Sequence, residues 1–506
     1  MQESTICRRR ERLGRITDGL GLRDAYDATI ERIKEQDGAG SRLGMEALMW
    51  ISHAERSLRA DELCHALAVE LGSTNFHVDN VPSIRTVVSC CQGLIAVDRG
   101  ASTVRLIHPT LQQRLSTHPD ISRRPHSAMA EICLTYLNFE QVKAISAGSS
   151  PDIRDIPFLE YCSAYWGVHA KKELSARAKS LALELFREYG GHISARLLLE
   201  QEDYLDRDDP YPSFQFSGLH CASFFGIVDV VAALVQMECY DINGRDFLGH
   251  TPLVWAARNG HEEVVSILLG REGVDPDKPD NYAQTPLSYA AWGRHEGVVK
   301  ALLEQEEVCP DKPNNYNKTP LSYAAWGGSE EVVKMLLGRD EVNPDRPDRY
   351  GVTPLSYASW RGHAGVVKIL LERKEVDPDK PDNRGQTPLS HASQYGHEGV
   401  VEILLEREEV DPGKPDNSGR TPLSYAAQYG REGVAGILLN REGVAPGKPD
   451  NGGQTPLMFA AKHGHDKVVV LLHPYEQQPR APYEASEILP SESRYYFPRF
   501  GGCRTS

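Results

Sequence analysis

The tripeptide Thr-Pro-Leu begins at Thr251, Thr285, Thr319, Thr353, Thr387, Thr421 and Thr455, always 34 residues apart. A fixed period of that length marks a chain built from one supersecondary unit stacked on copies of itself. One interval further upstream, Ser217-Gly218-Leu219-His220 is a degraded copy, which makes eight copies over residues 212–475. One copy cannot bury its apolar stripe alone, whereas a stack shares a continuous core. The expected architecture is therefore a curved, mainly α solenoid.

Each copy can be built from its residues. Thr285 accepts from an orphan amide of the turn it opens, and Pro286 fits the first helical position, where no amide is needed. Ala290 and Ala291 are small enough for neighbouring first helices to approach closely. A glycine near the end of the segment (Gly328, Gly362 and Gly396 in later copies) supplies a left-handed stop. A second helix carries Val298, Val299, Leu302 and Leu303 at helical spacing, and Pro310 and Pro313 forbid its continuation. Residues Asp280 to Gln284 read as a turn.

This pattern resembles the ankyrin family, whose T-P-L-H-x-A-A-x-x-G-H signature is matched by Thr251-Pro252-Leu253 and Ala256-Ala257-Arg258-Asn259-Gly260-His261, and by the later copies with substitutions. The resemblance implies a module that binds another protein and does no chemistry of its own. Two departures stand out. The family's His after Leu is Ser288, Ser322, Ser356, Ser390 and Ser424, so its hydrogen bond must be made by a shorter hydroxyl or lost; the copies are also one residue longer than usual, in the linker after the second helix. Arg294 stands where other copies carry Gly, at a cost on the order of 1 kcal/mol if it takes positive φ.

Positions constant across copies serve the architecture, and those that vary are free to serve a partner. In ankyrin-like stacks the concave face is formed by turn tips and the outward side of the first helix. Three consecutive copies place aromatics there: Tyr282, Tyr289 and Trp292, then Tyr316, Tyr323 and Trp326, then Tyr350, Tyr357 and Trp360. Within each helix the Tyr and Trp are three residues apart and share a face. Aromatics with a polar tip are common anchors of protein interfaces, so these nine residues are the candidate partner-binding groove. The alternative for Tyr289, Tyr323 and Tyr357 is packing between copies. Beyond them the stripe turns more polar, with Gln394 and Tyr395, Gln428 and Tyr429, then Lys462 and His463. His261, His295, His363, His397 and His465 resemble the family's structural histidines; no metal site is expected. Acidic second helices and linkers would steer toward basic partners.

The front half mixes periods. Met45 to Trp50, Ala60 to Leu71 and Ile84 to Cys91 suit three helices, and Leu94 to Val97 with Val104 to Ile107 suit a hairpin, a winged-helix pattern. A third helix of that kind reads DNA when it is basic and exposed. Here it offers only Arg85 and Gln92 and reads as packed. Tyr26 to Ile33, Leu63-Cys64-His65-Ala66-Leu67-Ala68, Cys91-Gln92-Gly93-Leu94 and Val104 to His108 resemble the winged-helix region after the NACHT NTPase of fungal, NOD-like ankyrin receptors. Phe158 to Tyr161 and Tyr165 to His169 resemble the helical segment joining such a domain to its repeats. That family implies a phosphate loop, and this chain has none: Gly413-Lys414 and Gly447-Lys448 are followed by Pro in repeat linkers. The sequence begins where the NTPase would be ending. His108 matches a position that contacts ADP in the wider class, here a remnant.

The expected layout is a disordered start and remnant helix (1–40), a winged helix (41–119), a helical linker region (120–211), eight ankyrin copies (212–475) and a disordered tail (476–506) bearing Tyr495-Tyr496-Phe497. A net charge of −15 argues against nucleic-acid and membrane partners. Ten cysteines without framework spacing suit a reducing, cytoplasmic setting, and Arg8, Arg9 and Arg10 admit a nuclear one. No cofactor and no catalytic motif is expected. A non-enzymatic interaction scaffold or receptor-like module is the function implied; the rivals are a truncated NACHT receptor and a winged-helix DNA regulator.

Overall fold

The computed structural model describes residues 20–98, 100–121, 123–145, 156–202, 204 and 215–475. The arginine cluster at 8–10, the tail beyond 475 and part of the linker region lie outside these residues. The described chain divides into two units, residues 20–240 and 241–475.

In the front unit, α1 (Leu20–Lys34) buries Tyr26, Ile30 and Ile33. Arg114 grips Asp27 of α1 with two hydrogen bonds of 2.6 and 2.9 Å. The winged helix follows as α2 (Gly38–His53), α3 (Ala60–Leu67), α4 (Ile84–Cys90), β1 (Ile95–Val97), β2 (Val104–Leu106) and α5 (Pro109–Ser116). The two strands pair antiparallel with Ala96 opposite Arg105. Helix α3 stops four residues before the expected Leu71, and Gly72, at φ +96°, turns the chain. Glu62 on α3 has no exposed side chain; it accepts from Arg56 at 2.8 and 2.6 Å and from the Arg59 amide at 2.7 Å, so its buried charge is paired.

The linker region holds α6 (Pro125–Leu137), α7 (Glu140–Lys143), α8 (Leu159–Lys172), α9 (Ala176–Leu185) and α10 (Ile193–Gln201). Helix α8 is the hub. At one end Trp50 of α2 meets Phe158 and Tyr161 edge-on, with ring centroids 5.4 and 5.8 Å apart. At the other, Trp166 packs on Phe186 and on Phe225 of α11 (Gly218–Phe225), the first helix of copy one. Gly167 lets the two helices touch, since a Cβ there would lie 2.2 Å from the Phe225 ring. Copy one, completed by α12 (Val228–Leu234), thus belongs to the front unit.

Copies two to eight make up the second unit. Each first helix opens with threonine accepting from the amide three residues on, followed by proline at the first position. The serine that replaces the family's histidine does make a bond: Ser288 Oγ meets Thr285 Oγ1 at 3.1 Å, and Ser424 Oγ accepts from the Thr421 amide at 3.2 Å. First helices pack on first helices and second on second, with the alanine pairs and the Val and Leu stripes buried.

Four of the recurring histidines, His295, His363, His397 and His465, tie their copy to the one before it, as with His295 Nε2 on the Arg258 carbonyl at 3.0 Å and His363 Nε2 on the Trp326 carbonyl at 3.1 Å. In the linkers, Lys312, Arg346, Lys380 and Lys414 each reach back to an aspartate of the preceding copy, Asp277, Asp311, Asp345 and Asp379, at 2.7 to 3.0 Å. Lys414 of the Gly-Lys pair is thereby a structural cation.

Arg294 does adopt φ +61°. Replacing it by glycine removes the left-handed penalty and is expected to raise stability by about 0.5–1 kcal/mol, since glycine's greater unfolded entropy offsets part of the gain. Chemical denaturation of the Arg294→Gly chain checks this, and an unchanged or lowered midpoint contradicts it.

Candidate functional site: the aromatic row of the repeats

Every turn is built on one acid or amide. Asp280 Oδ1 accepts from the Tyr282 and Gln284 amides, both at 2.8 Å, and Asp348 does the same for Tyr350 and Val352. The second carboxylate oxygen is met by the ring nine residues on: Trp255 Nε1 donates to Asp246 at 2.8 Å, Tyr289 to Asp280 at 2.8 Å, and Tyr357 to Asp348 and Tyr425 to Asp416 at 2.6 Å. Where the turn residue is Asn314, its amide donates to the Tyr323 oxygen at 2.9 Å, and that phenol donates to Gln284. His391 stands 3.3 Å from Asp382 in copy six.

This corrects the expectation for Tyr289, Tyr323 and Tyr357. They are not presented to a partner. Tyr289 and Tyr357 are 2% and 3% exposed, Tyr323 is part-buried, and all three hydroxyls are consumed in bracing a turn against its helix. Burial and the adjacent carboxylate push the Tyr289 phenol well up. Burial alone would raise Asp280 too, but hydrogen bonds from His250, the Gln284 amide and Tyr289 outweigh it and hold that carboxyl below the usual range.

The other six residues lie nearer the surface. Tyr282 and Tyr350, at turn tips, are 46% and 42% exposed, while Tyr316 and the three tryptophans are half-buried. Trp326 and Trp360 meet edge-to-face at 5.4 Å, and Trp360 stacks on His391 at 5.5 Å and leans on Tyr395 at 5.6 Å. Tyr395 and Tyr429 are 38% and 42% exposed. The row therefore continues into copies six and seven one position later in the helix, where Arg361 stands in copy five. Reading only the Trp column, which turns to Gln394 and Gln428, hides that shift.

Cations flank these rings. Arg361 lies 5.0 Å over Trp326, Lys318 4.9 Å over Tyr357, Arg420 4.7 Å over Tyr425, and Arg258 5.2 Å over Tyr289 and 5.9 Å over Trp292. Burial holds the Lys318 ammonium below its usual range, and contact with a ring face returns part of that cost. The carboxylate side chains of this side, Asp280, Asp382 and Asp416, are 0–1% exposed and turned inward on amides and rings, and Asp416 also pairs with Arg420 at 2.9 Å. The second helices instead open with Glu262, Glu263, Glu296, Glu330, Glu331, Glu398 and Glu432. The stack thus has an aromatic row in which Arg361 is exposed while Arg258 is buried and Arg420 is paired with Asp416, and an acidic row of second helices.

In the winged helix, α4 buries Val87 and Cys90 but exposes Ser83, Arg85, Thr86 and Ser89, so it is packed on one face only. The exposed face carries the single cation Arg85. His108 caps α5, its Nδ1 accepting from the Thr110 amide at 3.2 Å, and lines a cavity of about 650 Å³ with Arg56, Arg105 and Gln112.

Stacked helix pairs with braced turns define a repeat solenoid of the protein-interaction type. The model for ankyrin repeats (3 copies) matches in overlapping segments from 185–280 to 408–482. The chain belongs to the ankyrin-repeat family. Residues 32–124 match the winged helix domain of GPI inositol-deacylase, the NACHT-associated type of winged helix. No curated protein matches the chain. Among the described residues no helix is long and apolar enough to cross a membrane.

Proposed function

We propose that the chain is a non-enzymatic, receptor-like recognition module that captures an extended, acidic protein segment along the aromatic row of copies three to seven, in the cytoplasm. The observation that carries this is the run of part-exposed rings Trp326, Trp360 and Tyr395, in contact one with the next, with the exposed Arg361 seated over Trp326. Rings supply buried area at low entropic cost, and the cations select acidic side chains between them. Whole-molecule charge favours basic partners, but the second helices that open with glutamates are a different surface from the row, where Arg361 is the exposed cation. The winged helix and linker at the front support a receptor-like organisation, and the exposed face of α4, with Arg85 as its single cation, is too sparse a footprint for DNA.

The test is binding of the isolated partner to the Trp326→Ala/Trp360→Ala chain and to Arg361→Glu. Loss of at least about 100-fold for the first and 10-fold for the second is expected. The tryptophans are half-buried, so the double variant should lose about 1–3 kcal/mol of stability while the stack stays folded. Undiminished binding, or a stack that unfolds outright, contradicts the reading.

A further inference from the structure

We propose that Glu55, His126 and His169 form a binding site for one divalent transition-metal ion of the zinc class. Three ligand atoms from three separate stretches converge there, all within 4.8 Å of one another: the loop after α2, the first turn of α6, and α8. His126 Nδ1 faces His169 Nδ1 at 2.8 Å, and Glu55 Oε1 is 3.7 Å from His169 Nδ1. Ligand atoms around a four-coordinate zinc ion stand about 3.3 Å apart, given metal–nitrogen bonds of about 2.0–2.1 Å. Shifts of a few tenths of an ångström therefore seat an ion between them, with water at the fourth position. Two imidazoles and one carboxylate suit zinc and its neighbours rather than magnesium or calcium.

The surroundings hold the ligands in place. His169 is fully buried, and its Nε2 is 2.9 Å from the Tyr161 hydroxyl, which itself accepts from the Glu55 amide at 3.2 Å. Such outer hydrogen bonds fix the ring of a ligating histidine. His53 closes the far side, edge-on to His126 at 5.8 Å. Without metal, the two facing nitrogens share one proton and Lys172 Nζ pairs with Glu55 at 2.6 Å. Binding releases that proton to solvent, and the lysine, 47% exposed, swings out. The ion would then pin the winged helix to the helices that carry copy one.

The test uses the full chain stripped with a chelator and titrated with Co²⁺, followed by its visible absorption, with Zn²⁺ as competitor. One saturable equivalent with the spectrum of a four-coordinate nitrogen and oxygen site, displaced by Zn²⁺, is expected. His126→Gln and Glu55→Gln, both at part-exposed positions, should weaken binding at least about 10–100-fold with circular dichroism unchanged. Lys172→Ala should tighten it, because the competing cation is gone. Absence of saturable uptake, uptake equal in His126→Gln, or weakening by Lys172→Ala overturns the site.

Discussion

Asp348→Ala is expected to cost about 4 kcal/mol, although the side chain touches no candidate ligand surface. It leaves three donors unmet, the Tyr350 and Val352 amides and the Tyr357 hydroxyl, at a residue 5% exposed. Each stranded buried donor costs about 1–3 kcal/mol, and partial entry of water keeps the sum below the maximum. Asp348→Asn should cost less, about 1–1.5 kcal/mol: the new amide can hold the turn amides and donate to the phenol as Asn314 does to Tyr323, but the Gln284 that takes the Tyr323 proton is Lys318 in this copy, so the Tyr357 hydroxyl proton loses its acceptor. Tyr357→Phe should fall between, at about 1.5–3 kcal/mol, since it strands one charged oxygen. Chemical denaturation of the three variants reads the order directly. Equal effects of Ala and Asn would show that the turn is not held by these bonds.

Gly167→Ala sets two principles against each other. Helix propensity favours alanine by about 1 kcal/mol in the interior of α8. Packing opposes it, because the new carbon would lie 2.2 Å from the Phe225 ring and neither helix can yield without disturbing Trp166. Overpacking of a filled core costs about 1–3 kcal/mol and sometimes more, so the net expectation is a loss of about 2 kcal/mol. Adding Phe225→Leu to the alanine variant should recover part of it, giving a coupling that independent sites would lack. A stabilised Gly167→Ala chain would mean that α8 and copy one do not meet as described.

The repeat architecture was legible because the copies align with one another: threonine, proline, the alanine pair and the Val and Leu stripes recur at one interval, and local geometry follows from each. Arg294 was legible for the same reason, as a side chain where its sisters have none. Depth was not. Three-residue spacing places Tyr289 and Trp292 on one face of a helix but does not say which sits lower, and the answer depends on a carboxylate from the turn. A signal existed, since a ring with a polar tip follows Asp246, Asp280, Asn314, Asp348, Asp382 and Asp416 at a fixed offset of nine, while Asp450 is followed by Phe459. Tyr395 and Tyr429 stand in the stripe, but their one-position shift puts Gln394 and Gln428 in the Trp column and makes the stripe read as turning polar. The role of α8 rests on Trp50 and Phe225, far apart in sequence, and no periodicity links them.

The central claim is that a partner lies along the aromatic row and not on the second helices. A photo-crosslinking residue placed at Trp360 or Tyr395, and separately at Glu331 on a second helix, tests this most directly. Adducts to an acidic segment of the bound protein from the first two positions and none from the third are predicted; adducts from Glu331 alone would contradict it.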